Sequence, residues 1–154
     1  MIFFIGRVDH NINKPADDSK IIKMAIYNTS VDVRKSLAKS IIDEAKPEHG
    51  GCLIWRKTNK NINQYGKIPY NGDSIYVHRL VYYSKHPLPL QTSDEEVSHI
   101  CHKKRCVQIT HLVAETRSEN SLRKSCSKSE TGCLGKTRHN GPPCIVQSKR
   151  KKVW

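Results

Sequence analysis

Between Glu95 and Cys126 the sequence reads EEVSHICHKKRCVQITHLVAETRSENSLRKSC, with three cysteines, three histidines and an asparagine among charged residues. Thiolate and imidazole are the ligands that structural zinc takes, four at a time and tetrahedrally. Cys101, Cys106 and His111 lie close together, and Cys52 upstream supplies a fourth ligand of a Cys3His set. Cys126, Cys133, His139 and Cys144 form a second set of the same type, so all six cysteines are used. The same six could instead make three disulfides in a secreted protein. The N-terminal MIFFIGRVDH, however, has no basic stretch before its apolar run and no small-residue cleavage site. A cytosolic or nuclear chain is expected, and zinc is favoured. Shells closed by four protein ligands keep no open position, so both zinc ions read as structural.

Composition agrees with an externally braced, nucleic-acid-binding domain. At 154 residues and 36% hydrophobic content, one domain with a thin core is expected. Zinc would add stability that the core lacks. The 27 Lys and Arg against 14 Asp and Glu give a net charge of +13 and a pI near 9.6, which fits a nucleic-acid partner or a well-solvated basic surface. No apolar run approaches the length of a membrane span.

The elements that must hold these residues are legible in outline. Residues 1–50 read as an N-terminal arm and an amphipathic helix, 51–125 as the core with the first zinc set, and 126–154 as the second zinc motif with a basic tail. Val33, Leu37, Ala38, Ile41, Ile42 and Ala45 recur at helical spacing behind Ser30, a suitable N-cap, which predicts a helix over Val31 to Lys46. CLIW is β-like, and QYGKIPY and SIYVHRL flank Asn71-Gly72, a hairpin signal. A short helix is expected in HRLVYYSKH, a strand in EVSHI, and a helix in RSENSLRKS capped by Thr116 or Ser118. Arg56, Lys57, Lys60, Gln64 and Lys67 fall on the strands and loop of RKTNKNINQYGK, read either as an antiparallel-sheet surface that reads DNA base edges or as a solvated, irregular loop, while Lys103, Lys104 and Arg105 suit phosphate contacts. His78 and His102 read as ordinary histidines. The KRKK run near the C-terminus fits a nuclear-localisation signal, a phosphate-binding run or a solvated end.

SHICHKKRC, THL and SENSLRKSC resemble the His-Cys box of the homing endonucleases, members of the ββα-metal (His-Me finger) nucleases related to the HNH enzymes. The preceding GCLIW and YGKIPYNGDSIYVHRLVYY are similar to the region before that box, so the resemblance covers roughly residues 51 to 144. It implies a small zinc-stabilised α+β fold of ββα-metal type, built from an antiparallel hairpin sheet and short helices. It also implies a site-specific, Mg2+-dependent DNA endonuclease of intron-homing type. The general base would fall on His99 and the ligand of one catalytic Mg2+ on Asn120, with Arg79 the candidate arginine near the scissile phosphate and Lys67 behind it. The two zinc sets fall on the residues named above. The implied partners are double-stranded DNA and a second copy of the chain, with MIFFI a candidate for the dimer interface. VQIT stands where the family commonly has an Asn-Pro step. Two other readings stay open: a zinc-stabilised DNA-binding regulator without cleavage, and a nonspecific or RNA-directed nuclease.

Overall fold

The computed structural model describes residues 24–57, 61, 63–128, 133 and 139–145. The N-terminal MIFFI, Lys60 and the KRKK run lie outside the described residues. Helix α1 (Val31–Glu44) is capped by Ser30, whose hydroxyl accepts from the Val33 amide at 3.2 Å. It ends at Glu44 rather than Lys46, because Pro47 drives the residue before it into extended backbone. Lys46–Glu48 then forms β1, paired antiparallel with β2 (Cys52–Ile54). Between them Gly50 and Gly51 take φ of 84° and 74°, open to glycine without strain. The inner face of α1 buries Ala38 and Ile41 as expected, and also Arg34, whose guanidinium donates to the Tyr83 and Thr29 carbonyls.

A second hairpin joins β3 (Lys67–Tyr70) to β4 (Asp73–Tyr76). Asn71 and Gly72, at φ 46° and 83°, make the left-handed pair of a type I′ turn. Both strands of this two-stranded sheet are edges, which is where Pro69 is tolerated. The chain passes directly into α2 (Val77–Tyr83), which packs on α1. Trp55, Ile75, Val77, Leu80, Val81 and Val107 are the centre of the core. Gly66 has no room for a side chain there: a Cβ would stand 2.7 Å from Val77 Cγ2 and 2.9 Å from Trp55 Cε3.

The third sheet pairs β5 (Glu95–His99) antiparallel with β6 (Leu112–Thr116), with His99 opposite Leu112. Helix α3 (Arg117–Cys126) follows without a loop, since Thr116 is both the last strand residue and the N-cap, accepting from the Glu119 amide at 3.2 Å. A bridge between Ile54 and Cys106 and a bond from the Val107 amide to the Leu53 carbonyl, 2.8 Å, tie β2 to the loop after β5. The chain is thus a small α+β fold with three helices and two-stranded antiparallel sheets among the described residues. No helix among them is long and apolar enough to cross a membrane.

Candidate metal centres and the adjoining cleft

The first Cys3His set draws its ligands from three places. Cys52 comes from β2, Cys101 and Cys106 from the loop after β5, and His111 from the 3-10 turn (Ile109–His111) before β6; all four are buried. His111 Nδ1 stands 3.5 Å from the Cys52 sulfur and 3.6 Å from that of Cys106. A tetrahedral zinc ion with ordinary bond lengths separates a sulfur and a nitrogen ligand by about 3.6 Å, so the set fits zinc. The second set joins Cys126, at the end of α3, to Cys133, His139 and Cys144, with His139 Nε2 3.2 Å from the Cys133 sulfur and 3.5 Å from that of Cys144. Within each set the ligand atoms lie within 4.8 Å of one another. None of the six cysteines is in a disulfide, and each falls in one of the two sets. In the first set a hydrogen bond with Cys101 pulls the Cys106 thiol down, while the same bond and burial push Cys101 up. Three buried thiols cannot all ionise together unless a cation offsets them.

Beside the first set opens a cleft of about 310 Å3, lined by Tyr65, His99, His102, Lys104, Asn120, Arg123, Lys124 and Ser127. His99, the last residue of β5, is 7% exposed, and its Nε2 lies 3.0 Å from the Cys106 carbonyl oxygen. A carbonyl only accepts, so Nε2 carries the proton and Nδ1 keeps the basic lone pair. Burial lowers the His99 pKa to about 4 against the raising effect of that bond, so the ring is neutral near pH 7. The rings of Tyr65 and His78 pack against it, with centroids at 5.9 Å and 4.8 Å. Asn120, one turn into α3, donates from Nδ2 to Glu96 Oε2 at 2.7 Å, which leaves Oδ1 as its acceptor atom. The β5–β6–α3 unit thereby brings His99 and Asn120 to one cleft. A neutral amide oxygen suits Mg2+, which prefers hard ligands and keeps much of its shell for water and phosphate; the donor set fits that ion.

The remaining expected residues are distributed more widely. Arg79 is on α2, its guanidinium 5.7 Å from the centre of the Tyr76 ring, and does not line the cleft; Lys67 Nζ lies 5.1 Å from the same ring centre. Lys104 reaches over Tyr65 at 5.4 Å. His102 and Lys104 also line a neighbouring cleft of about 420 Å3 with Arg56, Lys103 and Arg105. There Glu48 pairs with both Arg56 and Lys103. Lys57 pairs with Glu44, and the Gln64 amide donates to the Asn61 carbonyl. Arg105 is 2% exposed and donates to the Trp55 and Asn61 carbonyls, which turns its charge inward. The expected sheet surface is corrected in one respect: among the described residues Arg56, Lys57 and Gln64 lie outside any strand, and the sheet begins at Lys67. Their stretch is polar, unalternated and rich in turn-forming asparagine.

Several residues at the site carry no sequence signal of their own. His78 and His102, ordinary in the sequence, pack on His99 and line the cleft, respectively. Arg123 is marked only by standing one helical turn beyond Asn120. It is 1% exposed, donating to Glu115 at 2.9 and 2.8 Å, to the Pro142 carbonyl at 2.8 Å and to the Cys144 sulfur at 3.5 Å. Arg123 therefore connects α3 to the second metal set. A family described as the zinc-binding loop region of homing endonuclease matches residues 41–154. No curated protein and no solved structure matches the chain.

Proposed function

We propose, since the chain belongs to the family that carries this zinc-binding loop of homing endonucleases, that it is a site-specific endonuclease of intron-homing type acting on double-stranded DNA. The observation that supports this reading best is the shared cleft, in which His99 keeps Nδ1 free and Asn120 keeps Oδ1 free. His99 Nδ1 takes the proton of the attacking water as general base. Asn120 Oδ1 would hold one Mg2+, which when bound would supply stabilisation of the charge developing on the phosphate and the leaving 3′ oxygen. Lys104 and Lys124 at the cleft draw in the phosphodiester. The two Cys3His sets would each hold a structural zinc ion that braces the frame and takes no part in the reaction. One such centre serves one strand at a time, so a double-strand break calls for two copies of the chain on a near-palindromic site.

The test is incubation of the full chain with a randomised duplex library and Mg2+, then sequencing of the cut ends, with an RNA library in parallel. His99→Ala should lose about 100- to 10,000-fold in rate, the usual worth of a general base, with zinc content and DNA affinity retained. If His99→Ala and Asn120→Ala both cut like the wild type in protein freed of contaminating nuclease, this mechanism is wrong. Binding without cutting by the wild type would favour a zinc-stabilised DNA-binding regulator, and cutting of RNA alone an RNA-directed nuclease.

A further inference from the structure

A carboxamide can bind a cation only through its oxygen, and its two ends are nearly equal in shape. Something must decide which end of Asn120 faces the cleft. Glu96, on β5, accepts from Asn120 Nδ2 at 2.7 Å, and its other oxygen accepts from Arg117 Nε at 3.2 Å. Arg117 and Asn120 stand one turn apart on α3, so the carboxylate is clamped between strand and helix by both oxygens. An ionised carboxylate has only acceptors. It takes the NH2 end of the amide and rejects the oxygen end.

The placement of Glu96 also calls for a role beyond packing. Its cross-strand neighbour on β6 is Glu115, and like charges directly opposite are unfavourable in a sheet. Each glutamate is answered by an arginine of α3, Glu115 by Arg123 and Glu96 by Arg117. Those ion pairs would serve the fold alone. The second oxygen of Glu96 is free to do something else, and it holds Asn120.

We propose that Glu96 is a positioning residue for the divalent metal, fixing the Asn120 amide through Nδ2 so that Oδ1 is presented to the cleft. The N–H···carboxylate bond also polarises the amide and makes Oδ1 the stronger ligand, as outer partners do in metal sites generally. This rests on Asn120 being the metal ligand, as proposed above, and the experiment separates the two statements.

The probe is Mn2+, titrated into the zinc-loaded full chain with and without a random-sequence duplex and read by water-proton relaxation. Glu96→Ala should weaken Mn2+ binding by about 10- to 100-fold, the usual cost of losing an outer-shell partner. Cleavage should recover toward the wild-type kcat as Mg2+ is raised. Glu96→Gln, whose amide oxygen can still accept from Asn120 Nδ2, should restore most of the affinity. Zinc content and melting temperature are measured on each variant. Unchanged Mn2+ affinity in Glu96→Ala, while Asn120→Ala loses it, overturns the role of Glu96 and leaves Asn120 as ligand. Unchanged affinity in Asn120→Ala itself overturns the ligand reading underneath. A loss in Glu96→Ala that glutamine leaves unrelieved, accompanied by a lower melting temperature, makes Glu96 a fold residue and also overturns the proposal.

Discussion

Replacing Arg123 by methionine isolates the link between helix α3 and the second metal set. The guanidinium is 1% exposed and its partner carboxylate, on Glu115, 6%, so the pair is sealed from water. Methionine fills much of the volume but leaves the buried Glu115 carboxylate without its cation, the Ser98 hydroxyl being its remaining hydrogen-bond donor among the described residues, and leaves the Pro142 carbonyl without the Arg123 donor. Breaking one side of such a buried pair costs about 3–5 kcal/mol, a large part of the roughly 5–15 kcal/mol that holds a domain together. For a chain of this size each kcal/mol moves the melting temperature by about 2–4 °C, so a fall of about 10 °C is expected. Calorimetry at fixed free Zn2+ is the suitable assay, because metal bound to the native state raises the apparent stability. The double variant Glu115→Gln/Arg123→Met removes the stranded charge and should recover part of the loss. A single variant melting within about 2 °C of wild type, or a double variant less stable than the single, would refute the reasoning, because the penalty assigned to a buried unpaired carboxylate would then be absent.

Elemental analysis should find two zinc ions per chain, one for each Cys3His set; a strong chelator should then abolish the cooperative melt, and three disulfides with no zinc would overturn the assignment. Gly66→Ala should destabilise by about 1–3 kcal/mol by overpacking, since its new methyl would press on Val77 and Trp55; a urea midpoint equal to wild type would show that the core yields there. Lys104→Ala and Arg105→Ala should behave differently despite being adjacent. The first should weaken binding to any duplex and lower the salt slope by about one, whereas the second should lower the melting temperature, because Arg105 is spent on backbone carbonyls.

The parts of the fold that could be read from the sequence are those written in local chemistry. Ser30 with its helical stripe and Asn71-Gly72 carry their structural instruction within a few residues, and the helix start and the turn form where expected; of the two caps expected for the last helix, Thr116 and Ser118, the structure uses Thr116. The ligand sets were legible because cysteine and histidine in these numbers have few other uses. Strands β1 and β6 escaped for opposite reasons. Lys46–Glu48 contains proline and two charges and is a strand only because Cys52–Ile54 lies beside it. In Leu112–Thr116 the alternation is weak, and its extended form is set by pairing with β5. The cleft was half legible. His99 and Asn120 could be placed by resemblance, but Glu96, Tyr65 and Arg123 come to the site through tertiary packing that no spacing reveals.

The wide sequence separation of Cys52 from the other ligands of the first set bears on how the protein folds. Cys101, Cys106 and His111 are near neighbours in sequence, so they can capture an ion early and with small loss of chain entropy. Cys52 reaches them only by closing a loop that spans β3, β4, α2 and β5, which costs more chain entropy than bringing the three neighbours together. Such a closure is paid for before long-range contacts reward it and belongs late in the order of events. A zinc ion held by Cys101, Cys106 and His111 alone would have three protein ligands and an open position. The fourth ligand would come only with that long-range closure, so four-ligand occupancy at this centre would report that β2 has docked on the loop after β5.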